Sequence, residues 1–542
     1  MKSISYARRQ VAEDGKLSLR TEKIETGTGK DFGLTKLKNR IDKELLMELY
    51  GIYSDKDNDF KVGDTNVSMN KLGNLIVKHT ALSSLCLNFL NDSINVTTGS
   101  IAMNIEAMGG ENFTYMENKK ALLEYSKEIG SLMYDVGHWE KNSKLALINR
   151  VYDVMQDYDT EITDIKYDRK SEMGRKLGKA SILFGNRAGE HFLQHRTAIA
   201  CMLHYKMKDK DGSEISLYDA LTTKPRDPAH PEKGSELVLK DGVTKMDGTK
   251  WEQKDIIKMS RKIASINQSM HGIYNKMDRA AAQYYMLGKF AFQFKKYFIP
   301  QWDKRFAAAK YNADLDTDTE GYHMTTLGFL NNIREESKGL TLDIATQWHK
   351  LDKRQQSNVK KSIADVSYIF ALGMTAGILY NLVASRKNNP WALKFAEYQA
   401  VKLYTDHVVF LPVIGMTNLQ ATVGDRASAF GTPKDWGTLP DAMSPTKWNE
   451  SAGGLFEGHS KGFRAGAKIF AKPAVNILRF SDPQPSIDYA ISNNTTFGVL
   501  DKTQATREQA KKNGYEKAKE TRAANKAKKE QAKKDDANTD LE

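Results

Sequence analysis

The run VSYIFALGMTAGILYNLVAS, Val366 to Ser385, holds 20 residues without a charge. It is flanked by Lys360-Lys361 and Arg386-Lys387. A helix of that length spans the roughly 30 Å of hydrocarbon in a bilayer. An uncharged surface of that size is not left in water. The run must therefore be a helix that is covered, either by a bilayer or by other helices of the fold. Gly373 and Gly377 have the small-xxx-small spacing that lets helices approach closely. Ser367, Thr375 and Asn381 dilute the apolar signal and favour a core helix. On the membrane reading the contacting residues are Val366, Phe370, Gly373, Gly377, Leu379 and Val383. The following segment, Trp391 to Phe410, is amphipathic and carries Lys394, Glu397, Lys402 and Asp406, so it is a poor membrane span.

Helical spacing extends through most of the chain. KLGNLIVKHTALSSLCLNFLN, NKKALLEYSKEIGSLMYDV and RAGEHFLQHRTAIACMLHYKMK repeat apolar residues every three or four positions. Only 12 prolines in 542 residues leave long stretches free to be helix. The expected fold is mainly α: an elongated array of helices with a small β-hairpin excursion and a basic C-terminal tail, helical or disordered. The expected segments are an extended arm with one helix (1–63), a helical region (64–207), the β-excursion (208–253) and a second helical region (254–339). An apolar helical hairpin (340–413), a Gly/Pro-rich part with short helices (414–500) and the tail (501–542) complete the chain. The excursion rests on ELVLKDGVTKM, two short runs around Asp241-Gly242, a strong hairpin signal. Strand is expected mainly between Glu236 and Trp251.

No catalytic pattern is legible. EHFLQH sets His191 and His195 four apart on a helix face, but Phe192 stands where a zinc protease has its glutamate, and no third ligand is evident. DKDNDFKVGD and DLDTDTEG begin like calcium loops. The first has Phe60 and Asn66, the second Thr319 and Thr325, where Gly and Glu are needed. Both read as solvated acidic loops. GTGK and MGRKLGKAS lack the spacing of a phosphate loop. No catalytic residue, metal or cofactor is expected, and no small-molecule substrate.

The net charge of +13 favours polyanions or acidic surfaces as partners. Cys86 and Cys201 are the two cysteines, so a disulfide framework is excluded and a reducing compartment is expected. The first twenty residues lack the apolar core of a signal peptide, which argues against ordinary secretion. Basic residues concentrate in two places. Lys289, Lys295, Lys296, Lys304 and Arg305 interleave with aromatics, an arrangement that binds nucleic acid by charge and stacking. An aromatic core helix whose lysines reach water fits the same residues. The tail carries Lys511, Lys512, Lys528 and Lys529 among Ala and Glu, with almost no large apolar residue.

INQSMHGIYNKMDRAAAQYYMLGKFAFQFKKYFIPQWDKRF, with GSEISLYDAL upstream, resembles a segment of the large virion-packaged proteins of crAss-like gut phages. The likeness covers about Arg187 to Arg305. It implies a non-enzymatic virion protein, made in the host bacterial cytoplasm, packaged with the genome in the capsid interior or tail and capable of ejection into the host. Its partners would be portal or tail proteins, with DNA and the host membrane as further candidates. Two alternatives remain: a component associated with a packaged RNA polymerase or nuclease, and a protein that inserts into the host membrane. The Asp-rich metal signature of such polymerases is not matched by DTDTEG.

Overall fold

The computed structural model describes residues 60–62, 65–67, 87–138, 143–155, 184–225, 235–272, 297–312, 314–336, 344–384, 389–411 and 471–484, with isolated positions between them. Expectations for the N-terminal arm and its helix, for most of 414–500, and for the tail lie outside these residues. The chain divides into two compact units, residues 1–78 with 275–290 and residues 79–274 with 291–542.

In the first unit β1 (Phe60–Val62) and β2 (Thr65–Val67) pair antiparallel, Phe60 opposite Val67. The second unit contains α1 (Phe89–Gly109), α2 (Tyr115–His138), α3 (Lys144–Tyr152) and α4 (Phe184–His204). β3 (Lys206–Lys208), β4 (Glu214–Ser216), α5 (Leu217–Ala220), β5 (Leu221–Lys224), β6 (Glu236–Leu239) and β7 (Thr244–Lys245) follow. Then come α6 (Gln253–His271), α7 (Phe298–Phe306), β8 (Lys310–Asn312), β9 (Thr317–Thr319) and α8 (Tyr322–Glu336). The last elements are α9 (Ile344–Lys350), α10 (Lys353–Ala384), α11 (Trp391–Val408) and α12 (Lys472–Ser481). Helix accounts for 72% of the described residues, so the protein is mainly α with small antiparallel strand pairs.

Helix α1 organises the second unit because it is buried along most of its length and feeds two cores. Ala102, Met103 and Ala107 face one core, with α2, α3, α4 and α6 around them. Leu90, Ile94, Ile101 and Ile105 face another, with α10 and α11. A helix that buries two faces belongs between two layers. Its ends are defined chemically: the Asn88 side chain accepts from the amide of Asn91, and Gly110 closes the C-terminus in the left-handed conformation at φ +72°. Gly99 brings α4 close, since a Cβ there would lie 2.4 Å from Leu193 Cδ1.

The strands differ from expectation in position and pairing. They are not confined to Glu236–Trp251; pairs also form at 60–67, 206–224 and 310–319. The Asp241-Gly242 turn exists, with Gly242 at φ +82° and the Val243 amide bonded to the Lys240 carbonyl. Yet the runs it joins do not pair with each other. β6 pairs with β5, Leu221 opposite Leu239, and β7 pairs with β3, Met207 opposite Lys245. The turn therefore hands the chain from one small sheet to another. DLDTDTEG is likewise not an open loop: Asp314 to Asp316 turn the chain and Thr317–Thr319 is β9. Asn312 Oδ1 accepts from the amides of Asp314 and Leu315, and β8 pairs with β9 around it.

Candidate interaction surface

Helix α10 changes character at Asp365. Before that residue it is charged and tied into the fold. After it, the helix carries no charge.

Asp365 is fully buried and receives Arg305 of α7 bidentately, Nε to Oδ2 at 2.9 Å and Nη2 to Oδ1 at 2.8 Å. The Tyr322 hydroxyl donates to Oδ2 at 2.8 Å, and His323 Nε2 lies 3.1 Å from the same oxygen. The Arg305 guanidinium also sits 4.3 Å from the centre of the Phe410 ring. A second group lies one turn earlier. Glu106 of α1 binds Lys304 and Lys361, each at 2.7 Å. Lys361 also reaches Glu111 at 3.2 Å, and Arg354 Nε meets Glu111 at 2.7 Å. Gly109 makes room for this, because a Cβ there would fall 2.4 Å from Lys361 Cε.

Burial alone would oppose ionisation of Glu106 and Asp365. The ammonium groups of Lys304 and Lys361 outweigh it at Glu106, and the Arg305 charge with bonds from His323 and Tyr322 outweighs it at Asp365. Both carboxyls are held well below the usual range. Burial disfavours the Lys361 ammonium, but Glu106 and Glu111 together raise its pKa. The layer joins α1, α7, α8 and α10 by fully committed charges. It fixes geometry and leaves no free carboxylate for acid–base chemistry.

Beyond Asp365 one face of α10 packs on α11 and α1 through Ile369, Ala376, Leu372 and Leu379. The opposite face is open. Ile363, Val366, Phe370, Met374, Ile378 and Leu382 form an apolar stripe at three- and four-residue spacing, with Phe370 71% and Ile378 64% exposed. Nineteen positions at 1.5 Å per residue make it about 28 Å long. Ser367, Ala371, Thr375 and Asn381 are the other exposed residues of that face. The segment Lys353–Val383 is long and apolar enough to cross a membrane, with mean hydropathy 1.6, and 17% of its apolar window is buried.

The six residues expected to contact membrane therefore separate. Val366 and Phe370 point outward, Leu379 is half-buried, and Val383 is buried. Gly373 is a close-approach position: a Cβ there would lie 2.9 Å from the Tyr404 ring of α11. Gly377 is not, since nothing lies within 4 Å of its would-be Cβ. Ile363, Met374, Ile378 and Leu382 were missed, although their spacing from Val366 and Phe370 was visible in the sequence.

Of the residues expected to bind nucleic acid, Lys304 and Arg305 turn inward and end on Glu106 and Asp365, with Arg305 2% exposed. Neither side chain is offered to a polyanion. Lys289, Lys295, Lys296, Lys511, Lys512, Lys528 and Lys529 lie outside the described residues. His191 and His195 stack at 3.8 Å; Tyr125 bonds His191 Nδ1, and His195 Nδ1 bonds the His191 carbonyl. Among the described residues no group of three potential metal ligands comes together.

These features define a helical protein with a buried ionic layer and an apolar helix face that is exposed among the described residues. No protein family, curated protein or solved structure matches the chain.

Proposed function

We propose that the chain is a non-enzymatic assembly protein of a phage virion, packaged with the genome and able to leave with it. The observation that carries the assembly role is the exposed stripe of α10. A charge-free face about 28 Å long, backed by a rigid layer, is a docking surface for another apolar surface. Support for the virion setting comes from the sequence resemblance at Arg187 to Arg305. Within a particle the stripe would pack against portal or tail proteins, and the surplus positive charge would face DNA. Mass spectrometry of purified particles tests this. The protein should be present at a fixed ratio to the capsid protein and should survive nuclease and high-salt washing. Its absence from particles that infect normally would end the reading.

The same stripe favours a second reading, contact with the host membrane after ejection. Lys353 and Lys360 are exposed at one end of it, and Arg386-Lys387 follow the other end in sequence. Bases at both ends of an uncharged face suit anionic headgroups. Co-flotation with anionic vesicles, absent with neutral ones, is the expected result.

A further inference from the structure

A cleft of about 310 Å³ opens between α6, the β8–β9 hairpin and the N-terminus of α10. Its charges are unevenly committed. Asp255 is held by both of its oxygens on Lys245 at 3.2 Å and by the Glu252 amide at 2.9 Å. Glu111 is held by Arg354 and Lys361. The acids lining the cleft are thus neutralised from within the protein.

The bases are not used up. Lys258 and Lys262 line the cleft one helical turn apart on α6, a spacing that sets Cβ atoms about 5–6 Å from each other. Neither has an ion-pair partner among the described residues. Arg354 is pinned at the rim through Nε on Glu111 and through Nη1 on Thr317 and the Asp318 carbonyl. Its Nη2 holds no protein partner among the described residues. A guanidinium fixed on one side and open on the other is pre-organised for an anion. Trp251 and Tyr205, packed edge to face at 5.3 Å, also line the cleft and add aromatic surface to it.

We propose that this cleft binds a phosphate-bearing ligand with a planar base: the phosphate on Lys258, Lys262 and Arg354, the base against Trp251. The volume lies at the small end of ligand sites and suits one nucleotide. That chemistry is shared by a free nucleotide and by the end of a single strand. Neither requires the exposed stripe of α10, so this inference stands apart from the assembly role.

The test is calorimetric titration of the full chain with ATP, adenosine, pyrophosphate and a 5′-phosphorylated hexathymidylate. ATP or the oligonucleotide should bind saturably, and adenosine and pyrophosphate at least tenfold more weakly. Binding of ATP alone assigns a free nucleotide; tighter binding of the oligonucleotide assigns a strand end. Lys258→Glu with Lys262→Glu should weaken binding at least tenfold without moving the melting curve, because both side chains lie off the buried face of α6. Should that pair unfold, Lys258→Gln with Lys262→Gln serves. Because a basic tail attracts any oligonucleotide, the 5′-phosphorylated hexathymidylate is compared with its unphosphorylated form, and only the difference is assigned to the cleft. Retained ATP affinity or a retained effect of the 5′-phosphate in the variants, pyrophosphate binding equal to ATP, or no saturable binding to the wild type would each overturn the site.

Discussion

Replacing Asp365 by Ala leaves Arg305 buried with no counter-charge, its side chain 3% exposed. It also strips partners from the Tyr322 hydroxyl and His323 Nε2. Removing one member of a buried pair costs about 3–5 kcal/mol, chiefly because the survivor stays desolvated. Domains have about 5–15 kcal/mol in total, so the variant should be near the edge of folding. Urea unfolding followed at 222 nm should show the midpoint fall with an unchanged slope. Arg305→Met combined with Asp365→Leu should recover most of the loss, since it removes both charges. The pH dependence has a definite sign. Asp365 and Glu106 have folded pKa values below their ordinary 3.8 and 4.5. Their contribution is fully present above those ordinary values and is lost as pH falls toward the folded ones. Asp365→Asn should therefore flatten acid unfolding below about pH 4. A cost under about 1 kcal/mol for Asp365→Ala would show that the layer is not desolvated in solution.

Gly373→Val should destabilise by about 1–3 kcal/mol by driving Cβ into the Tyr404 ring, whereas Gly377→Ala should be neutral or stabilising by up to about 1 kcal/mol; paired melting curves separate the two. His195, His271 and His407 are buried and depressed from 6.5, with desolvation the first cause and His271 lowered to about 3. The unfolded chain binds protons at these sites first, so stability should decline as pH drops below 6.5, and His195→Leu should reduce that slope between pH 6.5 and 5. Deleting Arg507 to Glu542 should leave the melting temperature unchanged and weaken DNA retention at low salt. Between Lys502 and Lys534 there are twelve Lys or Arg against four Asp or Glu, 12 − 4 = +8; equal retention would exclude the tail as a DNA contact.

What was legible follows from what is local. Periodicity located α2, α4, α6, α10 and α11, because a helix shows its buried face every three to four residues; α1, with its many Asn, Ser and Thr, was not singled out. Spacing also pointed to Gly373, where α11 does come close. Pairing was not legible. The Asp241-Gly242 turn is a local fact, but the partner of Glu236–Leu239 is Leu221–Lys224, and no short-range signal connects them. The inward turn of Lys304 and Arg305 was not legible for the same reason. Their neighbours read as aromatic and basic, while Glu106 lies about 200 residues earlier and Asp365 sixty later. One signal was available. Lys361 and Asp365 share a helix face at i, i+4, and they are the last charges before the uncharged run. Charges on the core-facing side of an apolar helix call for partners elsewhere in the chain.

Helix α10 joins two demands that seldom share one element. Its first half is held by buried charges on α1, α7 and α8, which resist sliding because each donor has a fixed acceptor. Its second half is held on one side by apolar packing, which is non-directional. The free side is therefore presented on a stiff base. Ala371 lies in the middle of that free side and is exposed. A lysine there meets water in the isolated protein, so Ala371→Lys should not lower the melting temperature. In a bilayer or a dry interface the same charge costs about 2.5–3.5 kcal/mol at the centre of an apolar span. The variant should then stop floating with anionic vesicles, or drop out of particles, while remaining folded. If Ala371→Lys unfolds the protein, the face is already covered within the chain. If wild type and variant float and package alike, the stripe contacts neither lipid nor a virion partner.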